Sequence, residues 1–528
     1  MNNKITKTWS QYEAGCDYKR SIGLYETIRE NERFLRGDQW HGSSGVDLPK
    51  PVFNILRRVV DYMVCTVFSK KVAINFTDDD IPYTEDSEKL DVMRRGIELL
   101  GKHASYRWEK NKMDKIMRSA LYDAAITGDG AVYCYFDPDA HAPKPFKGDI
   151  VTENIDNVNL FVADVNRADI QSQEYIILAG RQSVNSLRRE AVKYGMSHAD
   201  ADRLISPDDE ALFGAGDMAE KELDGDDEER KATYLIKFWR EEGKVCFEKS
   251  LRSCVIRRVK TNCRLYPVAY MNWYPTKNSF HGTSPITGLI PNQKFINHGY
   301  AMVMKHMTDT AFSKVVYDKT RIPEWTNEVG EAIAAVGSTN VSDAVSIIEP
   351  GKLEEGYMEL LDSTIAATKE MMGATEAALG NLNPVNTSAI LAIQEASKVP
   401  LLQIKDNVIG FAEDIANIWA DMMCTYYPPE RLVPFYEEGE AVSLRADFSV
   451  LCDTMINAHV EISDPERFSV AYSQSVLDKL LDAGHITFTE YLERLPAGIV
   501  IDRDTLMAKR KNSQKEEYDG RERDEEAA

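Results

Sequence analysis

The sequence has no run of 18 apolar residues, and its N-terminus, MNNKITKTWSQYEAG, has no apolar leader core. Neither a membrane-spanning helix nor a secretion signal is therefore expected. Cysteine is sparse: eight thiols in 528 residues, at 16, 65, 134, 246, 254, 263, 424 and 452, with no C-x-x-C and no histidines at zinc spacing. That pattern excludes an obvious metal site and fits a reducing compartment, where the thiols are expected to serve as small buried hydrophobes. Positive charge is also short, with 63 Lys+Arg against 85 Asp+Glu and a net charge of −22. Such a balance argues against a protein that wraps nucleic acid on a basic surface, but not against one past which DNA must slide without sticking.

The usual catalytic patterns are missing as well. There is no G-x-x-x-x-G-K-[ST], no H-E-x-x-H and no G-x-S-x-G; HGTSPIT (281–287) lacks the second glycine of a nucleophile elbow. Gly128-Asp129-Gly130 has no third glycine and precedes a strand pattern, where a dinucleotide fingerprint needs a helix. The acidic clusters DDD (78–80) and DGDDEE (224–229) lack the EF-hand spacing and read as solvated loops. His298 and His306 share a helical face but stand two turns apart, too far for one metal, so a structural role is expected. The basic pairs at 57–58 and 188–189 and RRVK (257–260) are too short for a nucleic-acid patch, and NWYP (272–275) suits a core or an interface. No metal, cofactor or catalytic residue is expected.

What is present is organisation. The length calls for two to four structural units. Composition, 43% hydrophobic and 28% charged, is that of a globular chain with disorder only at the ends. Residues 12–37 are helical in pattern and stop at Gly37 in NERFLRGDQW, with Trp40 expected to pack inside. Pro49 and Pro51 bracket an extended entry to a helix over 53–69. TDDDIPYTEDSE (77–88) is a surface loop, and a long helical stretch over 89–127 ends at Gly128. The period then changes to two. AVYCYFD, NLFVADV, EYIILAGR, ATYLIKFWRE, KVCFEKS, SCVIRRVK and LYPVAYMNWYP have strand composition, and SVNSLRREAVKYG opens as a helix on a Ser cap. Residues 206–230 read as an acidic loop. The first half is α+β.

From Ser284 the pattern is helical. Apolar residues at 296, 300, 303, 307, 311 and 315 form one stripe, and Tyr357, Leu361, Ile365, Thr368 and Met372 form another. The second helix, residues 353–378, would span about 39 Å. Between the two lies a compact mixed insert, 319–351. After the break LGNLNPVNTS (379–388), a third helix runs to about Thr425 with Ile404, Val408, Phe411, Ile415, Ile418 and Met422 in near-heptad order and a kink at Pro400; YYPPE ends it. Strands EAVSLRADF and NAHVEI follow, then helices SVAYSQSVLDKLLDAG and TFTEYLERL and a fraying charged tail. Two long paired helices leave faces that one subunit does not bury, so lateral packing against copies of the chain is a natural outcome.

This order of elements resembles that of the portal proteins, or head–tail connectors, of tailed double-stranded DNA bacteriophages. NERFLRGDQW followed by LPKPVFNILRRVVDYMV is similar to the portal opening, where a helix ends at a Gly near an aromatic and the next begins at an Asn. ALYDAAITGDGAVYCYFD resembles the helix–Gly–strand junction of the portal body, and RLYPVAYMNWYP with HGTSPITGLIPNQKFINHGYAMV the strand that enters the first stem helix. LGNLNPVNTSAILAIQEAS looks like the loop facing the tunnel with the helix after it, and LLDAGHITFTEYLERLP like crown helices.

The resemblance implies an α+β portal fold with an α/β wing, paired long stem helices, a small α/β clip insert, a kinked long wing helix and a small helical crown. Residues 1–285 and 388–465 would form the wing, 286–318 and 353–378 the stem helices, 319–352 the clip, 379–387 the tunnel loop and 466–512 the crown, with 513–528 a charged, disordered tail. It implies a non-enzymatic virion protein, made in the host bacterial cytoplasm and placed as a ring, usually of twelve subunits, at one capsid vertex. Its implied partners are double-stranded DNA passing without sequence specificity, the terminase large subunit, head-completion or adaptor proteins, and major capsid and scaffolding proteins, with no membrane. Twelve copies at −22 would carry about −264, a charge that does not trap a phosphate backbone. The uncharged LGNLNPVNT places Asn381, Asn383 and Asn386 nearest the DNA, with Lys369 and Lys398 as the flanking cations. Arg321, Glu324, Trp325, Asn327 and Glu328 are the expected partner contacts of the clip, Trp325 serving as an anchor or lying buried between neighbouring clips. The competing readings are another virion structural protein, such as a minor head or adaptor protein, and a metal-dependent DNA-processing enzyme.

Overall fold

A computed structural model describes residues 6–42, 47–68, 71–77, 87–141, 147–208, 230–310, 314–325, 333–337, 340–348, 355–374, 399–437, 440–452, 456–463 and 477–494. The chain divides into two units, Met1–Phe68 with Ala73–Glu461, and Ser69–Val72 with Ile462–Ala528.

The larger unit opens with α1 (Lys7–Ser21) and α2 (Leu24–Arg36). The single helix expected over 12–37 is thus two, because Gly23 adopts a left-handed φ of 66° between them. Gly37 does end α2, also left-handed, and Asp38 N–H donates back to Arg33 O at 2.9 Å. Asn54 then caps α3 (Ile55–Val67), its Oδ1 accepting from Arg57 N at 3.1 Å, which shortens the helix expected over 53–69. After β1 (Lys71–Thr77), the stretch expected as one helix over 89–127 is α4 (Ser87–Lys110) and α5 (Met113–Thr127), parted at Lys112, whose φ is 52°. Positive φ in a lysine is uncommon and has no local sequence signal.

Strands β2 (Asp129–His141) and β3 (Lys147–Ile155) pair antiparallel. NLFVADV is strand only in β4 (Leu160–Val162), because a 3-10 turn, Asn157–Asn159, takes up its start. Next come β5 (Tyr175–Ser183), α6 (Val184–Lys193, capped by Ser183 as expected), α7 (His198–Leu204), β6 (Lys231–Glu241), β7 (Lys244–Ser250), β8 (Val255–Lys260) and β9 (Val268–Asn272). They form a three-stranded sheet, β3-β2-β9, and a five-stranded antiparallel sheet, β4-β5-β6-β7-β8. Alternation along β5 and β6 explains the layering. Ile176, Leu178 and Phe238 turn toward Ala131, Val268 and Tyr270 of the smaller sheet. Ile177 and Leu235 turn the other way, onto Trp9, Tyr12 and Cys16 of α1.

The helical half begins with α8 (Pro285–Thr310). Its pattern was expected to continue to 318, but β-branched Val315 and Val316 belong to a strand, β10 (Lys314–Tyr317), paired with β11 (Val345–Ile348). The second helix, α9 (Glu355–Glu370), is also shorter than the expected 353–378 among the described residues. It ends in a turn with Gly373 at φ 71° and Ala374 N–H bonded to Lys369 O at 3.0 Å. Pro400 lies in a 3-10 turn, Val399–Leu401, that leads directly into α10 (Leu402–Tyr426). All six stripe residues from Ile404 to Met422 are buried there, and α10 packs on β2 and β9. The hairpin β12 (Leu432–Glu437) and β13 (Glu440–Arg445) follows, then β14 (Asn457–Ser463), which pairs with β1.

Of the cysteines, 16, 134, 246, 254, 263 and 424 are buried, Cys452 is half-buried and Cys65 is exposed. No described helix is long and apolar enough to cross a membrane. In the smaller unit, residues 477–482 are helical. Helix Phe488–Arg494 opens on a reciprocal cap, in which Glu490 N donates to Thr487 Oγ1 at 3.3 Å and Thr487 N to Glu490 Oε2 at 2.8 Å.

Candidate functional site: an antiparallel helix pair and the strand pair between its members

The helix pair starts at the head of α8. Ser284 caps that helix, accepting from Ile286 N at 3.1 Å and donating to Ala125 O at 2.6 Å, with Pro285 in the first helical position. Bonded to His281 and Gly282 just before it, the fully buried Asp129 collects four partners. Its Oδ1 accepts from Gly282 N (2.7 Å) and Asn272 Nδ2 (2.8 Å), and its Oδ2 from Asn157 Nδ2 (3.2 Å) and the His281 ring (2.7 Å). A buried carboxylate with this many donors fixes the chain around it. Gly128 is required beside it, because its φ is 98° and a Cβ there would fall 2.6 Å from Gly282 O. Lys19 of α1 braces the same region, donating to the carbonyls of Asn157, Val158 and Leu160 at 2.9, 2.8 and 2.7 Å. Burial pushes its ammonium down to about 7, against the opposing pull of Cys16, Asp156 and Asp129.

Higher on α8, a second buried polar group holds the N-terminal motif. Asn297 Nδ2 donates to Gln39 Oε1 (2.6 Å), and Gln39 Nε2 donates to Phe34 O (2.8 Å). Gln293 Nε2 reaches Phe53 O (2.7 Å) and Asn297 Oδ1 (3.0 Å), while its Oε1 accepts from Ile55 N (3.1 Å). Trp40, expected to pack inside, is only half-buried, its Nε1 bonded to Pro51 O at 2.8 Å and its ring 4.8 Å from His298, which is exposed. Among the described residues, no three His, Cys, Asp or Glu side chains are grouped to hold a metal ion.

Helices α8 and α9 run antiparallel, with Asn292 Nδ2 bonded to Thr368 Oγ1 (3.1 Å) and Tyr357 OH 3.9 Å from Met302 Sδ. Gly299 allows the closest approach, since a Cβ there would overlap the head of the buried Leu361. At the tip, the β10–β11 hairpin carries a loop stapled by Asp318. Its Oδ1 accepts from Thr320 N (2.9 Å) and Thr320 Oγ1 (2.6 Å), and these bonds hold the carboxyl below its usual value. Of the expected clip contacts, Arg321 is half-buried and bonded to Asn340 O (3.2 Å), Glu324 is exposed, and Trp325 is half-buried, stacked on Tyr317 at 5.4 Å. Asn327, Glu328, Asn381, Asn383, Asn386 and Lys398 lie outside the described residues. Lys369 is half-buried in the last turn of α9.

Sequence reasoning gave no role to Asp129, His281, Gln39, Gln293 or Asn297. Amides and single acids have no periodic signature, and only the glycine and Ser-Pro punctuation around them pointed to a junction. A separate cavity of about 550 Å³ lies along α10, lined in part by Asp414, Asn417, Ile418 and Asp421. Burial, with Asp169 and Glu413 nearby, pushes the Asp414 carboxyl up to about 6.

Residues 258–441 match the model of the family described as Phage P22-like portal protein, which supports a phage portal protein. The matched segment runs from the end of β8 through α8, the strand tip, α9 and α10 to the start of β13. No curated protein matches the chain.

Proposed function

We propose that this phage portal protein assembles as a ring, of twelve subunits in the family's usual form, at one capsid vertex and provides the channel for packaging and ejecting double-stranded DNA. The observation that carries the reading is the family match over the antiparallel helices and the strand tip between them. In this reading 1–285 with 388–465 is the wing, 286–318 and 353–378 the stem, 319–352 the clip, 379–387 the tunnel loop and 466–512 the crown. The clip, through Arg321, Glu324, Trp325, Asn327 and Glu328, docks the terminase large subunit and then head-completion or adaptor proteins. Capsid and scaffolding proteins surround the wing. Portal proteins are structural, and the chemistry of packaging falls to the partner.

The channel role rests on charge. A ring of chains at −22 each disfavours tight binding of phosphate, so DNA moves past without sequence recognition. Asn381, Asn383 and Asn386 would offer it short neutral groups, with Lys369 and Lys398 as the nearest cations. Negative-stain microscopy with mass measurement on the purified chain tests the reading. Closed rings with a DNA-wide channel are expected. A chain that stays monomeric at high concentration, or forms rings without a channel, would sink it in favour of a minor head or adaptor protein, and divalent-metal-dependent DNA cleavage would favour an enzyme.

A further inference from the structure

Resting on the portal reading for the source of the ligand, we infer that the outer face of the α3–α5 pair is a second contact for double-stranded DNA, one that grips the phosphate backbone where the channel lets it slide. The Arg57-Arg58 pair is too short for this by itself, and the fold lengthens it. Tyr122 of α5 bonds through its hydroxyl to Asp61 of α3, and Arg57 lines the same small cavity as Ile126, so the two helices run antiparallel. Arg57 and Arg58 lie one turn before Asp61; Arg118 and Lys115 lie one and two turns before Tyr122. The four cations therefore share the face on which Asp61 and Tyr122 meet, in a row of about 17 Å. All four are exposed, and among the described residues none of their side chains has a hydrogen bond or an ion pair.

Acidic side chains outnumber basic ones by 85 to 63, so carboxylate partners are plentiful, yet this face keeps four cations without one. Elsewhere surface cations do pair, as Arg20 with Asp17 (2.6 Å) and Lys260 with Glu242 (2.6 Å). The occupant follows from what the face lacks. Among the described residues, no large exposed hydrophobic belongs to α3 or α5, whereas a protein partner is held through an apolar core. A duplex needs only charge: with one phosphate per 3.4 Å on each strand, the row faces about five base pairs. At physiological salt charge is screened within about 8 Å, so a duplex on this face senses the four cations more than the net −22 of the chain. In the proposed division the face belongs to the wing, and not to the stem or the tunnel loop.

Fluorescence anisotropy of a labelled duplex of about 20 base pairs with the full chain, over about 50 to 200 mM salt, tests the contact. Arg57→Gln/Arg58→Gln and Lys115→Gln/Arg118→Gln should each weaken binding about tenfold or more at the low-salt end and shallow the slope of log K against log salt by about two. Ser119→Lys, at an exposed position on the same face, should tighten binding and steepen the slope by about one, a gain that a folding defect cannot imitate. Variants that bind as the parent does would overturn the site. Displacement by polyglutamate as readily as by unlabelled duplex, charge for charge, would replace DNA with an acidic protein partner. Binding is read whether or not rings form. Rings without binding would overturn this contact and leave the portal reading standing; a chain that forms no rings but loses its binding in the variants would uphold the contact and overturn the portal reading.

Discussion

Asn297 and Gln39 meet side chain to side chain at 2.6 Å, both buried, so the first helix of the long pair is tied directly to the chain reversal after α2. Asn297 also accepts from Gln293, which itself closes on Phe53 and Ile55. Replacing Asn297 by Leu leaves Gln39 Oε1 buried without its donor, and about 1–3 kcal/mol of stability should be lost. Gln39→Leu should cost a similar amount. Chemical denaturation of the two single variants and the double should give a double-variant loss well below the sum, because the second change removes a group already orphaned. Additive losses would show that the two amides do not act together.

How far these features were legible in the sequence follows from their chemistry. The α10 stripe was readable because six apolar residues recur at helical spacing and all are buried. The strands around β2, β5 and β6 were readable from period two, and the caps at Gly37, Ser183 and Gly128 from residue type. The breaks at Gly23 and Lys112 were not, since a one-residue left-handed turn scarcely interrupts an apolar period. The end of α9 was overrun for the same reason, at Gly373, and that of α8 because Val315 and Val316 extend its apolar period into a strand. Site residues were expected only through resemblance, and the whole of the expected tunnel loop and part of the clip lie outside the described residues.

Gly299 sets the spacing of α8 and α9. Alanine there would drive its Cβ into the head of Leu361, a buried side chain. Overpacking of this kind costs about 1–3 kcal/mol, and Gly299→Ala should lower the melting temperature despite its better helix propensity. Trimming the opposing side chain in Gly299→Ala/Leu361→Val should recover part of the loss. If Gly299→Ala alone raises the melting temperature, the helices are not in the close contact described.

Asp149 stands among Arg107, Arg431 and the Tyr427 hydroxyl, all hydrogen-bonded to its Oδ1, with both guanidinium groups buried. Burial works to raise its pKa, but the Arg107 charge, the Tyr427 and Arg107 hydrogen bonds and the Arg431 charge together hold the carboxyl below its usual value of 3.8. A carboxylate depressed by folding contributes stability above the unfolded value, and that stability is lost as pH falls below 3.8 toward the folded value. Asp149→Asn should flatten this acid limb. At neutral pH it should cost about 3–5 kcal/mol, because two buried cations are left without their counter-charge. Denaturation curves from pH 2.5 to 7 check both effects, and an unchanged acid limb would remove Asp149 from the account.

Lys19 gives the opposite slope. Burial lowers its pKa from 10.5 to about 7, so between those values the folded chain binds fewer protons than the unfolded one. Stability from this residue should therefore rise with pH across that window; below about 7 both states are protonated and the slope vanishes. The amine still donates to the carbonyls of Asn157, Val158 and Leu160 when neutral, so removing it has its own cost. Lys19→Met should leave those carbonyls short of a donor, destabilise the chain by about 1–3 kcal/mol at pH 7, and abolish the rise between pH 7 and 10. The loss should consequently be larger at pH 9.5 than at pH 7. A variant whose deficit is the same at both pH values would mean that the Lys19 ammonium keeps an ordinary pKa in the folded chain, and that the turn at Asn157–Asn159 is braced by hydrogen bonding alone.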